Sequence, residues 1–409
     1  MNAIVISCGN ELVTGQTVDT NSAYISRRLG RYGIAAIEHL TVGDDRAAIA
    51  QAISQAAARV DLVIVTGGLG PTADDLSRHA LADAMNAQLV LDPGSLARIE
   101  EFFRARDRAM SPENRVQAMI PAGGHAMENS AGTAPGIAAM IGRCRVYVLP
   151  GVPFEMRWMF ERVVEPQLPA GTGVVLHRTI HTFGAGESDV GARIADLMAR
   201  DANPLVGTTV AAGLVSIRIT ARAERQADAE RLCDAAADEI RARLGTLVFG
   251  QDDQTMASAV GELLRARRQT LATAESCTGG LIGQLITAVP GSSDYYRGGV
   301  VAYADMVKSD LLGVAPELIA RDGAVSESVA AAMAEGCRGR FAADWTLSIT
   351  GIAGPGGGTA AKPVGLAYIG LAGPSLDVAV HRHVLAGDRE IIRLRSALAA
   401  LNHLRLAMI

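Results

Sequence analysis

Four short strand-like runs in this chain each end abruptly in a turn of small residues, a pattern few folds accommodate. Val60–Thr66 runs into Gly67-Gly68 and Arg145–Leu149 into Pro150-Gly151. Thr270–Ala274 runs into Glu275-Ser276-Cys277-Thr278-Gly279-Gly280, and Trp345–Thr350 into the glycine loop Gly351–Gly358. Runs this short, bounded by glycine and proline, read as buried strands. Between and around them lie segments with helical spacing: Asn21–Tyr32, Arg46–Arg59, Ala257–Arg268, Ser326–Arg340 and about Arg389 to Leu406. Asp44 or Asp45 is placed to cap the second of these. Strand–helix alternation implies largely parallel sheets, with ligands expected beyond the carboxyl ends of the strands.

A chain of 409 residues has room for several domains at roughly 100–200 residues each. Residues 1–170 read as an α/β unit opened by the strand Asn2–Cys8. Residues 171–253 read as a small α+β module, with strands at His177–Phe183 and Leu214–Ala221 and helices at Glu187–Arg200 and Ala227–Leu244. A third unit, 254–409, returns to α/β, with a last strand near Gly365–Leu371.

Composition narrows the function classes. The formal charge of −5 argues against a polyanion binder that works by bulk charge. Aromatic content of 4% disfavours a stacking platform for single strands. Five cysteines, widely spaced and without C-x-x-C, fit a reducing cytoplasm and exclude a cysteine zinc knuckle. Neither a signal peptide nor the ~18 consecutive apolar residues of a membrane span is visible. The expectation is a cytoplasmic protein without a membrane partner. Only two of the 38 Lys plus Arg residues are lysine, Lys308 and Lys362. Arginine stays charged, whereas a buried lysine can serve as a base, so a lysine in this background draws attention.

The first chemical constellation follows Val60–Thr66. Gly67-Gly68-Leu69-Gly70-Pro71-Thr72-Ala73-Asp74-Asp75 lets backbone amides approach a phosphate, although it is neither a P-loop nor a G-x-G-x-x-G turn. Asp74 and Asp75 are placed equally well to cap the next helix. Asp19 and Asp44 lie in other loops of the same sheet, and oxygen ligands beside a phosphate cradle suit a hard divalent cation. Asn129–Gly136 and Leu149–Glu155 are small-residue turns placed to line the same cleft.

The second constellation is Ser276, which follows a strand and precedes Thr278-Gly279-Gly280. A serine there has helix-start amides nearby to receive an oxyanion, or it simply caps the helix. Gly298–Tyr303 and Lys308 add a tyrosine and a lysine. A neutral lysine can take a serine's proton and a tyrosine can relay it, while a solvated surface charge is the plainer reading of any lysine. Gly279 stands where a Ser-x-x-Lys motif needs its lysine. Cys277 wants a histidine partner, and His381, His383 and His403 lie in ordinary contexts, so a buried, inert thiol is expected.

The wording GNELVTGQTVDTN, TVGDD, TGGLGPTADD, NSAGTAPG and LPGVPFEM resembles the molybdopterin-binding-like domain of the CinA family. AESCTGG, GGVVAYADMVK, GAVSE, SITGIAGPGGG, KPVG and AGDRE resemble that family's C-terminal nicotinamide-nucleotide amidase domain. The resemblance spans the chain and implies three domains: a molybdopterin-binding-like α/β sandwich, a KH-type α+β module and an α/β amidase domain. In the C-terminal domain it implies hydrolysis of nicotinamide mononucleotide to nicotinate mononucleotide and ammonia. Ser276 and Lys308 fall on the serine–lysine pair; Tyr303, Ser293, Thr350 and Arg389 fall on supporting or substrate-contacting positions. The loop containing Gly354 would cradle the 5′-phosphate with Arg389 as counter-charge, and no cofactor is implied.

For the N-terminal domain the resemblance implies a metal-dependent ADP-ribose pyrophosphatase. Asp44 and Asp75 fall on the key acids, with Asp19 and Asp74 beside them as metal candidates and Asn21, Gly67, Gly68 and Thr72 as nucleotide-binding positions. The chain departs at Asn10, where many relatives carry an acid. The alternatives are an N-terminal module that only binds pterin or nucleotide, and a non-enzymatic accessory of competence or recombination. A homodimer is implied by resemblance alone. The KH-type module has no G-x-x-G loop in its first helix–turn region and balances nine Arg against ten acids between His177 and Gly250, which argues against RNA or DNA there.

Overall fold

The structure, a computed structural model, describes residues 1–169, 173–374 and 376–409. The boundary expected between 170 and 171 lies outside the described residues. The chain forms two compact units, Met1–His177 with Thr220–Asp234, and Arg178–Ile219 with Ala235–Ile409. The elements of the expected middle module are divided between them.

In the first unit the principal elements are β1 (Asn2–Cys8), α1 (Thr20–Gly30), β2 (Ala35–Val42), α2 (Arg46–Arg59), β3 (Leu62–Thr66), α3 (Ser77–Ala84), β4 (His125–Met127), β5 (Gly136–Ile141) and β6 (Cys144–Leu149). They form one sheet in the order β2-β1-β3-β6-β5-β4. The β2, β1, β3 and β6 strands are parallel, and β5 and β4 turn antiparallel. Both faces of β1 are buried: Ile4 and Ile6 pack with Ile49 and Ile53 of α2, while Ala3 and Val5 pack with Ile25 and Leu29 of α1. That double burial is why β1 and β3 read as continuous apolar runs. The edge strand β2 alternates exposed and half-buried residues and escapes the apolar-run criterion. Asp45, not Asp44, caps α2 by accepting from the Ala48 amide at 2.8 Å.

The middle elements are β7 (Val174–Phe183), β8 (Leu205–Ala211), β9 (Leu214–Ala223), α4 (Gln226–Leu244) and β10 (Val248–Gln251). Their sheet order is β8-β9-β7-β10. The expected helix Glu187–Arg200 is shorter, ending at Arg193 before a 3-10 turn over Ala195–Met198.

The second unit continues with α5 (Met256–Arg267), β11 (Leu271–Glu275), α6 (Leu281–Thr287), β12 (Tyr296–Val301), α7 (Asp305–Leu312), α8 (Glu327–Phe341), β13 (Trp345–Gly351), β14 (Leu366–Gly373), β15 (Leu376–Val384) and α9 (Arg389–Ala407). The sheet order is β12-β11-β13-β14-β15, parallel across the first three and antiparallel beyond. Leu271, Leu347 and Ile349 pack beneath α5 and α9 through Val260, Leu264, Leu401 and Leu404. On the other face Ala272, Ala274 and Val300 meet Val329, Met333 and Cys337 of α8. Small alanines on β11 let α8 approach closely. Among the described residues, no helix is long and apolar enough to cross a membrane.

Candidate active site

The parallel register of the second unit fixes where its chemistry gathers. Glu275, the last residue of β11, lies beside Val301 of β12 and Ile349 of β13. The Ser276 amide donates to Ile349 O at 2.9 Å, and the Ala302 amide donates to Glu275 O at 2.8 Å. Ser276, Tyr303 and Thr350 therefore stand at the carboxyl ends of three adjacent strands. Ser276 is 8% exposed. It does not cap α6, which begins five positions later at Leu281 with Gly280 as its cap residue.

Lys308, on α7, is 1% exposed. Its Nζ donates to Tyr303 O at 3.2 Å and to Asp305 Oδ1 at 3.1 Å. The solvated reading of this lysine is thereby ruled out, yet no hydrogen bond joins it to Ser276. Arg389, the first residue of α9, donates to Gly354 O at 2.7 Å and to the Tyr303 hydroxyl at 3.4 Å. It thus bridges the glycine loop and the tyrosine. Thr350 is buried and donates its hydroxyl to Ala324 O at 2.7 Å. Cys277 is half-buried, and burial pushes its thiol up to about 12, the inert state expected of it.

Ser293 is not brought together with Ser276 in this chain. It lies in the turn Ser292–Asp294, just before the amino end of β12. Tyr296, the first residue of that strand, pairs with Leu271, the first of β11. Ser293 therefore sits at the end of the parallel sheet opposite Ser276, because α6 carries the chain back across the sheet before β12 begins.

Glu275 and Arg393 carry no motif signal strong enough to single them out, whereas Lys362 stands out as one of two lysines. Glu275, 2% exposed, accepts from the Ile282 amide at 3.0 Å and the Gly283 amide at 2.8 Å. The helix-start amides expected to receive an oxyanion are thus already taken. Among the described residues no backbone carbonyl accepts from the amides of Cys277, Thr278 and Gly280, and the first two turn toward the Cys277 thiol, a weak acceptor. Arg393, one turn along α9 from Arg389, donates to Thr278 O at 2.6 Å. Lys362 donates to Asp322 O at 2.7 Å, a tie between the glycine loop and the chain after α7.

The first unit carries a separate cleft at the carboxyl ends of its own parallel strands. A cavity of about 370 Å³ is lined by Gly67, Gly68, Thr72, Asp44, Asp74, Asp75, Glu11 and Glu155 among others. A neighbouring cavity of about 290 Å³ holds Asp19 and Asn21, and the two share Cys8, Glu11, Gly151 and Val152. The turn demands glycine at Gly67: its φ is +103°, and a Cβ there would lie 2.3 Å from Cys8 O. Arg78, 1% exposed, sits beneath the turn and donates to the carbonyls of Leu69 and Gly70. Turning those carbonyls inward is a device the sequence does not advertise.

The aspartates do not assemble a cation site. Asp19 caps α1, accepting from the Ser22 amide at 2.9 Å. Burial works to raise its carboxyl, but hydrogen bonds from Ser22, Ser7 and Asn21 outweigh burial and hold it low. Asp75 accepts from the Thr72 amide at 2.9 Å and hydroxyl at 2.5 Å, while Asp74 is exposed. Neither caps α3, which starts at Ser77 without a side-chain cap. Asp44 and Asn10 exchange reciprocal bonds, Asn10 N to Asp44 Oδ2 at 3.0 Å and Asp44 N to Asn10 Oδ1 at 3.1 Å. No three His, Cys, Asp or Glu side chains among the described residues converge as a metal would need. Asn21 donates to Thr66 Oγ1 at 3.1 Å and Gly151 O at 2.8 Å, pinning two turns of the cleft together.

Comparison with known proteins covers nearly the whole chain. The family model described as CinA C-terminal domain matches residues 253–408, the probable molybdopterin binding domain matches 4–170, and the damage-inducible protein CinA KH domain matches 177–250. A putative competence-damage inducible protein of Moorella thermoacetica is 45% identical over 405 residues, covering 98% of this chain and 97% of the relative. A CinA-like protein of Synechocystis sp. is 44% identical over 415 residues, covering 99% of each. A solved structure, the protein CinA with unknown function from Thermoplasma acidophilum, is 36% identical and covers 41% of this chain and 98% of that one, with a TM-score of 0.39.

Proposed function

The chain belongs to the CinA family, and from that premise we propose that its C-terminal unit is an amide hydrolase converting nicotinamide mononucleotide to nicotinate mononucleotide and ammonia. The observation that carries the reading is the convergence of Ser276, Tyr303, Thr350, the buried Lys308 and the Arg389-tied glycine loop at one end of one sheet. A protonated lysine has three N–H donors and no lone pair; a neutral one has two donors and one lone pair. Lys308 is offered two acceptors, Tyr303 O and Asp305 Oδ1. For the proposed chemistry Lys308 must react as the neutral amine, with its lone pair turned to the Ser276 proton.

In the proposed sequence Lys308 takes that proton as Ser276 Oγ attacks the carboxamide carbon. The resulting oxyanion accepts from backbone amides of the Cys277–Gly280 turn. Collapse breaks the C–N bond, with the proton delivered to the departing nitrogen by way of Tyr303. Water then attacks the acyl-enzyme, returning Ser276 its proton and releasing the nucleotide carboxylate. Arg389 and the Gly354 loop receive the 5′-phosphate. Ser276→Ala and Lys308→Ala should each abolish ammonia release; retained release in Ser276→Ala would remove the serine from the chemistry.

The Gly67-Gly68 turn that lines the cleft of the first unit supports a second activity. We propose that it binds a phosphate-bearing nucleotide, with ADP-ribose pyrophosphatase as the reaction the family resemblance suggests. The carboxylates as arranged do not fit a bound divalent cation, so no step is derived through one. AMP release from ADP-ribose with added divalent metal tests this directly. Binding without AMP release would identify a regulatory nucleotide module instead.

A further inference from the structure

The turn that carries Ser276 is anchored at both of its sides by ionic groups outside the serine, lysine and tyrosine already discussed. Glu275 anchors it from within. Its carboxylate, buried at 2% exposure, accepts from the Ile282 and Gly283 amides at 3.0 and 2.8 Å. A buried carboxylate is retained only when such donors satisfy it, and the pair of bonds fixes the distance between the end of β11 and the start of α6. Arg393 anchors the turn from α9, donating to Thr278 O at 2.6 Å. Pulling that carbonyl toward the arginine commits the orientation of the Thr278–Gly279 peptide.

The consequence is electrostatic. Glu275 takes the two helix amides that would otherwise compete for an anion, and Arg393 holds a carbonyl oxygen engaged. In the turn, among the described residues, no backbone carbonyl takes the amides of Cys277, Thr278 and Gly280; the first two meet only the weakly accepting Cys277 thiol, which a developing oxyanion outcompetes. Preorganised donors of this kind stabilise a developing oxyanion because they need no rearrangement when the charge appears. Resting on the amidase reading, we propose that Glu275 and Arg393 are positioning residues that hold the Ser276 turn as a preformed oxyanion site. Neither is assigned a proton-transfer step.

The test is steady-state ammonia release from nicotinamide mononucleotide by the full chain and by Glu275→Gln, Arg393→Gln and Arg393→Lys, with melting temperatures taken in parallel. Glu275→Gln keeps the shape but turns an N–H toward one of the two amide donors. It is expected to lower kcat about 10–100-fold with KM within about threefold, a loss comparable to weakening one oxyanion donor. Arg393→Gln should show the same split, and Arg393→Lys should recover part of it, since one donor suffices for Thr278 O. If Glu275→Gln does not fold, the two Arg393 variants decide the matter alone. A rise in KM at unchanged kcat, or kcat within twofold of wild type, overturns the proposal while leaving the amidase reading intact. A wild type that releases no ammonia overturns both.

Discussion

At the scale of single residues, the account turns on what Lys308 can do that arginine cannot. Lys308 is nearly inaccessible and meets two acceptors. Lys308→Arg places a permanently charged group there and supplies no base. It is predicted to lower kcat for ammonia release about 10²–10⁴-fold, the range of a lost general base; activity within tenfold of wild type would show that charge alone suffices. The neighbouring thiol gives the opposite prediction. Burial holds Cys277 up to about 12, so it carries almost no thiolate at neutral pH. Cys277→Ala should retain most activity, and iodoacetamide should leave wild-type turnover nearly unchanged over an hour at pH 7.5.

The residue scale is also where sequence reading reached furthest and failed most plainly. Ser276 and Thr350 were legible because each lies at the end of a run with plain strand character, Tyr303 because it closes a glycine-led motif, and Lys308 because it is one of only two lysines. Glu275 was not, because an acid at a strand end looks like the first residue of a polar turn, and only the fold shows that two amides wait for it. Ser293 stands apart from Ser276 in the chain because closeness in sequence to the Gly298–Tyr303 motif says nothing about which end of a parallel strand a residue occupies. Of the four aspartates read as metal candidates, the Asp75 and Asp44 carboxylates accept from the Thr72 and Asn10 amides, contacts that no spacing in the sequence foretells.

At the scale of elements, two contacts make measurable claims. Gly67 joins β3 to the cleft turn with a positive φ and with Cys8 O where a Cβ would go. Gly67→Ala must move backbone on β1 or on the turn, and is expected to cost about 1–3 kcal/mol in urea unfolding; a stability equal to wild type would show the turn can shift freely. The second contact is between β15 and α9. His383 Nε2 and His403 Nε2 lie 2.8 Å apart, and the His381 and His403 rings stack at 3.7 Å. Burial first, then His381 and His383, bring His403 down to about 4. Burial likewise lowers His381, and burial with His381 lowers His383. The unfolded chain, titrating near 6.5, then binds more protons than the folded one between about pH 6.5 and 4. Stability must fall as the pH drops through that window. Melting temperature against pH should slope there, and His403→Gln should flatten the slope; an unchanged slope would remove the histidine stack as its source.

Strand β15 shows why elements were only partly readable. An antiparallel edge strand in which His381, Arg382 and His383 stand in a row between Val380 and Val384 lacks the apolar run that marks β11 or β13. The central strands of both parallel sheets, covered on two faces, announced themselves; the edges β2 and β15 and the short hairpin strand β8, half exposed, did not.

At the scale of the whole molecule, the three matched domains and the coverage of relatives along the chain place it in one family. The parallel sheets of the two α/β regions each end in small-residue turns that carry their candidate chemistry. The charge balance of the middle module predicts no tight, salt-sensitive binding in a gel shift with single-stranded RNA; a complex that weakens steeply between 50 and 200 mM salt would contradict it. The central claim is the serine–lysine amidase, whose chemistry calls on no metal. It is tested most directly by following ammonia release from nicotinamide mononucleotide by the purified full-length protein, with and without chelator, beside Ser276→Ala. The account predicts equal release with and without chelator and none from Ser276→Ala. Release that chelator abolishes, or that survives in Ser276→Ala, would contradict it.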